Sequence, residues 1–198
     1  PASNPLAQRF FMNIVQRAKE IMLNPKQTWP IIADEQTDVT TLYTQYIMIL
    51  ALIPAVAGFI GMSLIGVNTL AQTARVSLFS GIVKMVVSYV LSLAMVYVLA
   101  LLADRLAPNF GGERNPINAL KLVAYSSTAS MLGGVFSLIP MLSLLSLLAS
   151  LYSLYLLFIG GPVMMKTPPE KAFTYTCIML VCGLFAGGVL GLVSAIFR

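Results

Sequence analysis

Apolar residues fill five long stretches of this chain and recur at helical spacing in a shorter stretch before them. A helix needs about 20 apolar residues to cross the roughly 30 Å of bilayer hydrocarbon. The pattern therefore predicts an all-α, polytopic integral membrane protein, built as a bundle of five transmembrane helices. The predicted spans are residues 42–65, 78–102, 120–139, 142–165 and 173–197, which together form a membrane domain over residues 42–198.

The boundary between the third and fourth spans depends on one proline. Pro140 lies between two apolar flanks and cannot donate to a helical hydrogen-bond ladder. Proline also disfavours helical geometry at the preceding residue, Ile139. We therefore predict a tight hairpin turn here rather than one continuous helix. The fifth span has a clearer start, because the order Thr167, Pro168, Pro169, Glu170 predicts a capping box.

Residues 12–41 form a predicted segment on the cytoplasmic face or at the membrane interface. Apolar residues between Phe11 and Leu23 recur every three or four positions, and the polar side of the helix carries Arg17 and Lys19. This pattern is typical of a basic amphipathic helix that lies in the headgroup layer of an anionic leaflet. The alternative interpretation is a helix that packs on the ends of its own bundle.

Trp29 is the only tryptophan of the chain, and it lies between the amphipathic helix and the first span. Indole rings prefer the boundary between water and lipid. We therefore predict that Trp29, with Arg17 and Lys19, is a membrane-interface residue. Residues 1–11 precede Met12 and are expected to be a tag remnant without functional meaning.

The few charged residues and the absence of histidine limit the kinds of function that this chain can have. The chain has 198 residues, 58% of them apolar, with 12 Lys and Arg, 7 Asp and Glu, and no histidine. Only Lys84 and Lys121 lie within the predicted spans, so no carboxylate is placed in the membrane interior. Ion-coupled transporters usually hold such a carboxylate, and histidine is a common catalytic base and metal ligand. The composition argues against ion-coupled transport, enzymatic activity, a metal site and a cofactor.

The distribution of Lys and Arg predicts the orientation of the spans. With five spans and a cytoplasmic N-terminus, nine of these residues fall on the cytoplasmic side, and only Arg75 and Arg198 fall outside. Cytoplasmic loops of membrane proteins carry an excess of basic residues. We therefore predict a multi-pass protein with its N-terminus in the cytoplasm. The nine residues are Arg9, Arg17, Lys19, Lys26, Arg105, Arg114, Lys121, Lys166 and Lys171.

Lys84 is the charge that lies deepest in a predicted span. It follows the outer end of the second span by about six residues, or roughly 9 Å of helix. An ammonium group is costly in hydrocarbon, so the functional interpretation is a cation that faces a cavity or an anionic lipid headgroup. The alternative is a side chain that reaches the membrane surface beside Arg75.

The third span carries a cluster of hydroxyl groups. Tyr125, Ser126, Ser127, Thr128 and Ser130 lie close together, and four consecutive polar residues must face several sides of a helix. One interpretation is a ligand-binding or water-filled site. The other is hydrogen bonding between helices, each bond contributing about 1 kcal/mol or less. The candidate ligand or pathway residues are Lys84, Asn118, Tyr125, Ser126 and Thr128.

Gly183, Gly187 and Gly191 form a stripe of small residues along the fifth span. Such a stripe allows another helix to approach closely. That helix belongs either to the same bundle, to a second copy of the chain or to another membrane protein. The lipid bilayer is the other expected partner, and no nucleic-acid partner is expected.

Three motifs follow one another along the chain. The first runs from Ala18 to Trp29, the second joins 124–128 to 134–140, and the third joins 151–155 to 161–172. Together they resemble bacterial members of the Yip (Ypt-interacting protein) domain family over nearly the whole chain. One departure is Ala129, where the family pattern has a proline, and this weakens the case for a helix kink at that position.

The resemblance implies a five-span protein of the bacterial plasma (inner) membrane, although bacterial relatives lack a well-established activity. Together with the basic amphipathic helix and the lack of buried catalytic groups, it favours a non-enzymatic protein that organises the membrane or serves as an adaptor for a partner. Eukaryotic members of the family bind Rab-type GTPases and take part in vesicle traffic. A bacterium has no Rab cycle, so that partner is not carried over to this chain. The alternative function is a passive channel, transporter or scramblase for a small solute or lipid, which would use Lys84 and the hydroxyl-rich third span.

Overall fold

A computed structural model of the chain describes residues 5–65, 67–68, 73–74, 78–139 and 142–196. Within these ranges the chain is almost entirely helical, in agreement with the predicted class. The exception there is a two-residue antiparallel ladder, in which β1 (Val67–Asn68) pairs with β2 (Thr73–Ala74). Three residues used in the predictions, Pro140, Arg75 and Arg198, lie outside the described residues.

Two helices form a layer at one end of the bundle. We call this end of the bundle the polar end. α1 covers Pro5–Leu23, so it begins inside the segment expected to be a tag remnant, and α2 covers Pro25–Asp34. Pro25 starts α2 because a proline in the first helical turn loses no hydrogen bond. Thr28 stabilises the corner between the two helices, since its hydroxyl donates to the Asn24 carbonyl at 2.8 Å.

The first span is a continuous helical path with two π-helical turns. α3 (Val39–Leu42) leads into a π-helical turn at Tyr43–Ile47, and α4 (Met48–Phe59) leads into a second one at Ile60–Ile65. Asp38 is the N-cap of this path, because its carboxylate accepts the Thr41 N–H at 3.2 Å.

Three further helices are long. They are α5 (Leu78–Leu106), which a 3₁₀ turn at Ala107–Phe110 extends, α8 (Ser143–Met164) and α9 (Pro169–Ile196). The capping box predicted for the start of α9 is wrong. Thr167 lies two residues before the helix, out of the N-cap position, and its buried hydroxyl has no hydrogen-bond partner among the described residues.

Four helical stretches are long and apolar enough to cross a membrane. They correspond to the first, second, fourth and fifth predicted spans, and the chain is therefore a membrane protein with several transmembrane helices. Their bounds are Val39–Phe59, Leu78–Phe110, Leu144–Met164 and Pro169–Val189.

The remaining predicted span, residues 120–139, is divided into shorter pieces. α6 (Pro116–Ser126) and α7 (Thr128–Gly133) are followed by a 3₁₀ turn at Gly134–Leu138. The interruption at Ser127 occurs although Ala129 replaces the family's proline. Hydroxyl groups explain it, because Ser126 and Ser127 donate back to carbonyls one turn earlier, at 2.6 and 2.7 Å.

α6 lies at the centre of the molecule. All eight of its residues from Ala119 to Ser126 are buried, and it packs between α5 and α8. Its first turn is capped by Asn115, whose side-chain oxygen accepts the Asn118 N–H at 3.0 Å. The core is therefore built around an 11-residue helix that is too short to cross a membrane alone.

Candidate functional site

A polar cavity of about 370 Å³ opens at the polar end, between α1, the linker after α2 and the first span. Its walls carry charges of both signs and two tyrosine rings. The side chains that define it are Arg17, Glu20, Glu35, Gln45, Tyr46 and Tyr125. Of these, only Arg17 and Tyr125 were predicted as site residues, because the others are brought together from separate parts of the chain.

Arg17 connects the cavity walls through two carboxylates. Its guanidinium donates to Glu20, one helical turn away, at 3.4 Å, and it forms a closer ion pair with Glu35. Glu35 follows α2, so this ion pair ties α1 to the linker that leads to the first span. The Arg17 side chain is 22% exposed, which makes it a half-buried tether rather than a fully solvated interface residue.

Tyrosine and threonine side chains form the floor of the cavity. Tyr46 and Tyr125 pack with ring centroids 4.6 Å apart, and the Tyr46 hydroxyl lies 2.7 Å from the hydroxyl of Thr128. Thr128 is fully buried. The Tyr46–Thr128 bond joins the first span to α7, and it matches the interhelical hydrogen bonding that was one interpretation of the hydroxyl cluster.

Lys121 is a buried cation that fixes the layer of α1 and α2 to the bundle. It is only 2% exposed, and its ammonium donates to the Ile32 carbonyl at 2.9 Å and also to the Glu35 carbonyl. These carbonyls belong to the C-terminal end of α2, where a helix presents unpaired acceptors and negative partial charge. The sequence shows a basic residue at the edge of a span but does not show this partner.

α1 divides into a buried face and an exposed face. Ile14, Ala18 and Ile21 are buried against the rest of the molecule, as in the alternative interpretation of the amphipathic pattern. Val15 and Leu23 remain 66% and 65% exposed.

Trp29 is fully buried rather than placed at an exposed interface. Its ring packs against Gly160 of α8, where an ideal Cβ would lie only 2.6 Å from Trp29 Cε2 and 2.7 Å from Leu122 Cδ1. The predicted interfacial anchor is therefore a core residue. The physical reason is that the missing side chain at position 160 leaves room for an indole between α2, α6 and α8.

The candidate pathway residues do not share one cavity. Lys84 lines a small cavity of about 80 Å³ near the start of α5, whereas Tyr125 lines the polar cavity. Asn118 lies at the polar end and donates to the Met164 carbonyl at 3.3 Å. Ser126 lines a third cavity, so within the part of the chain that the structure describes these side chains line three separate places.

The third cavity, of about 470 Å³, lies between α5, α6, α8 and α9. Leucine and methionine side chains dominate it, and its hydroxyls make hydrogen bonds inside the protein. Ser153 accepts the Ser130 N–H at 2.9 Å, and Ser150 donates to the Ser146 carbonyl at 2.9 Å. The serines that line it are Ser126, Ser127, Ser130, Ser150 and Ser153.

The glycine stripe of α9 faces α5 over part of its length. An ideal Cβ on Gly183 would lie 3.7 Å from Leu99 Cδ2, and one on Gly187 would lie 3.6 Å from Met95 Cε. Among the described residues, no atom lies within 4 Å of the corresponding position on Gly191. The stripe therefore makes ordinary contacts inside the bundle, and its last member is open.

Comparison with known proteins finds one matching family model and two relatives with the same name. A model of the Yip1 domain matches residues 19–190 of the chain. The inner membrane protein YohC of Escherichia coli strain K12 is 26% identical over 171 residues, which cover 84% of this chain and 88% of the relative. Inner membrane protein YohC of Escherichia coli O6:H1 strain CFT073 gives the same values. No solved structure matches the chain.

Proposed function

Because this chain belongs to the Yip1 domain family, we propose that it is a non-enzymatic protein of the bacterial inner membrane that organises the membrane or serves as an adaptor for a partner. The similarity to the E. coli inner membrane protein YohC supports the inner-membrane location. The observation that carries the proposed role is the exposed face of α1, made of Val15, Lys19 and Leu23, which we call the α1 face.

The α1 face has the chemistry of a membrane-surface helix. Its residues are four positions apart, so they lie on one side of the helix, with Lys19 between two largely exposed apolar side chains. Apolar side chains beside a lysine suit the boundary between acyl chains and anionic headgroups. The opposite face holds α1 on the bundle, so the protein presents a preformed surface rather than a free helix.

We also propose five membrane passes with a cytoplasmic polar end, in which the divided segment from α6 to the 3₁₀ turn is the third pass. Three contacts support this path. Asn118 reaches Met164, Ser130 reaches Ser153, and Ser146 donates to the Gly133 carbonyl at 3.1 Å. These pairs run antiparallel along nearly the whole of α8, so the divided segment extends as far across the bundle as a long helix does.

The topology is tested by labelling single cysteines with a membrane-impermeant maleimide, after Cys177 and Cys182 are replaced by serine. Cysteines at Gln36 and Lys166 should react only in lysed cells, whereas a cysteine at Ile139 should react in intact cells. Glu113 and Lys166 form an ion pair of 2.7 Å, so both of their loops belong on one side. Labelling of position 166 from outside would mean four passes and would contradict the proposal.

The role of the α1 face is tested with the full chain in liposomes that contain or lack anionic phosphatidylglycerol. We expect the wild type to change vesicle shape, seen by electron cryomicroscopy, or to retain a soluble protein partner. The double substitution Val15→Ser and Leu23→Ser should abolish the effect, since it removes both apolar contacts. Ile31→Ser, at another exposed apolar position on α2, is the matched control and should behave as wild type. Equal behaviour of all three proteins would refute the role of this face.

A second function, a passive channel or a scramblase, is favoured by the serine-lined cavity between α5, α6, α8 and α9. Hydroxyl groups can line a path for a solute or a lipid headgroup without any charged side chain. A fluorescent-lipid scrambling assay and an ion-leak assay on proteoliposomes test it. Transport that falls in Ser126→Ala would support this function, and absence of transport would leave the membrane-organising proposal as the better one.

A further inference from the structure

The third cavity, of about 470 Å³ between α5, α6, α8 and α9, is the largest of the three cavities described above. None of its described lining residues is charged, and leucine and methionine side chains supply most of its wall. Atoms that line an unfilled space lose their van der Waals partners on one side. A space of this size inside a helix bundle therefore favours an occupant.

The cavity lies at the depth of lipid acyl chains. On α8 the lining residue nearest the polar end is Leu157, seven positions before Met164. On α9 it is Met179, ten positions after Pro169. At 1.5 Å per residue these offsets correspond to about 10–15 Å of helix. The hydrocarbon layer is roughly 30 Å thick, so the cavity begins well below the headgroups.

The serine hydroxyls in the wall are already hydrogen-bonded inside the protein. Four of them donate to a backbone carbonyl three or four residues earlier, at 2.6–2.9 Å, and these are Ser126, Ser127, Ser130 and Ser150. The fifth, Ser153, accepts the Ser130 N–H. A hydroxyl group that is bonded in this way can face apolar surroundings without the cost of a lost hydrogen bond.

Water is a poor occupant of such a space. A buried water molecule needs two to four polar partners, and engineered apolar cavities of about 150 Å³ stay dry and bind benzene. In this cavity the serine protons are used elsewhere, and most of the wall offers only methyl and methylene groups. The chemistry of the wall therefore favours an apolar occupant.

The cavity opens toward the bilayer between α8 and α9. Ser150 of α8 and Leu184 of α9 both line it and are exposed, Leu184 to 68%. The surface beside them is apolar as well, since Leu147, Leu151 and Phe185 are exposed. Acyl chains of the surrounding lipid thus have direct access to the opening.

We propose that the third cavity binds an acyl chain of a membrane lipid, which enters between α8 and α9. The chain replaces empty space with methylene groups in van der Waals contact with the wall. The site names a lipid rather than a solute as the ligand of the cavity for which the second function was suggested. It requires no transport and no contact with the α1 face, so it stands or fails apart from both proposed functions.

The test uses the full chain in liposomes that contain a phosphatidylcholine with a diazirine near the end of one acyl chain. After irradiation, mass spectrometry of peptides locates the labelled residues. Leu156 and Leu157 are a matched pair, because both are buried in α8 but only Leu157 lines the cavity. A carbene reacts with the atoms it touches, so we expect labelling of Leu157 and Met179 to exceed that of Leu156 by about fivefold or more.

A substitution that fills the cavity links the labelling to this site. Gly183 lines the cavity, so Gly183→Leu should reduce the labelling of Leu157 severalfold. Gly191→Leu is the matched control on the same helix, because Gly191 is exposed and does not line the cavity, and it should leave the labelling unchanged. Where Gly183→Leu does not fold, Ser150→Leu at the opening takes its place. Equal labelling of Leu156 and Leu157, or labelling that the filling variant leaves unchanged, would overturn the proposal.

Radiolytic footprinting of the same liposomes distinguishes an acyl chain from water. Hydroxyl radicals formed in a water-filled cavity would oxidise Met95 and Met179, which line it, to the sulfoxide. We expect both to be oxidised no more than Met164, which is 1% exposed and does not line the cavity. Oxidation of Met95 and Met179 severalfold above that of Met164 would show a water-filled cavity and would contradict the acyl-chain site.

Discussion

The two ends of α8 differ in what surrounds them. Near the polar end, Leu156 and Met165 are fully buried, whereas Leu144 and Leu147 near the other end are 66% and 55% exposed. α9 follows the same course, from the buried Tyr175 to exposed leucine and phenylalanine side chains. The polar end is thus a protein core, and the opposite end is an apolar surface.

The contrast shows that the same helices are stabilised by contacts within the protein at the polar end and by lipid tails at the opposite end. At the polar end, buried side chains donate to backbone carbonyls of distant elements, such as Lys121 to Ile32 and Tyr175 to Ala103 at 3.0 Å. At the opposite end, lipid tails are as apolar as leucine, so exposed leucines need no protein partner. We therefore expect the free energy of unfolding to respond strongly to changes at the polar end and weakly to changes at the other.

The largest effect is expected for Trp29→Ala, which empties a fully buried site at the polar end. Loss of a core aromatic side chain should lower the free energy of unfolding by about 3–5 kcal/mol. The measurement is denaturant unfolding in detergent, followed by circular dichroism. Phe185→Ala is the control, because Phe185 is 76% exposed on α9 and should change stability little. Similar losses in both variants would remove the distinction between the two ends.

Lys121→Met should have the second-largest effect on the free energy of unfolding. Methionine has a similar length but cannot donate, so the Ile32 and Glu35 carbonyls at the end of α2 lose their partner. Hydrogen bonds to charged groups contribute about 1.5–3 kcal/mol, and we expect a loss of that size, with faster proteolysis of α2. Lys26→Met removes an exposed lysine of α2 and is the matched control. A stable Lys121→Met variant would show that packing alone holds the layer.

Two glycine substitutions also test the difference in stability between the polar end and the opposite end of the bundle. At Gly160, a Cβ would lie 2.6 Å from Trp29 and 2.7 Å from Leu122, so Gly160→Ala forces the core apart. Overpacking typically costs about 1–3 kcal/mol. At Gly191, no atom of the described residues lies within 4 Å of an added Cβ, and alanine favours the helix, so Gly191→Ala should be neutral or slightly stabilising. Destabilisation by Gly191→Ala would instead indicate a partner helix on the open part of the stripe.

The smallest expected change in stability concerns Asp38 at the exposed edge of the polar end, and it depends on pH. Hydrogen bonds from the Thr41 side chain and backbone hold the pKa of the Asp38 carboxyl below its usual range. The stabilising effect of this cap is therefore complete above about pH 4 and is lost as the pH falls through the folded-state pKa. Asp38→Asn keeps an N-cap that does not titrate. We expect Tm of the wild type to fall more than that of Asp38→Asn on acidification, and parallel pH profiles would contradict the assignment.

Patterns along the chain predicted the spans well, because hydrophobic length is a local property. Four of the five predicted spans coincide with long apolar helices. The helix predicted over Phe11–Leu23 lies within α1, and Ile14, Ala18 and Ile21 of its apolar pattern are buried, whereas Val15 of the same pattern is 66% exposed. The periodicity did not predict whether lipid or protein covers these apolar side chains, since a bilayer and a helix bundle both accept them.

One error arose because a residue's partner lies far away along the chain. Trp29 is a core residue because position 160 is a glycine, 131 residues later in a different helix. The capping box at Thr167 has the right residue types, but the helix begins two residues too late for it. The third span is interrupted although the proline of the family pattern is absent. Ser126 donates to a carbonyl one turn earlier, and Ser153 of α8 accepts the Ser130 N–H.

By itself, the sequence determined that the chain is an all-α membrane protein with long apolar helices, because the bilayer selects for length and hydrophobicity residue by residue. Only the tertiary structure decided which charged side chains tie separate elements together. Arg17 pairs with Glu35, and Lys121 caps α2. The reason is that a charge acquires its role from the dielectric and the partners around it, and those come from other helices.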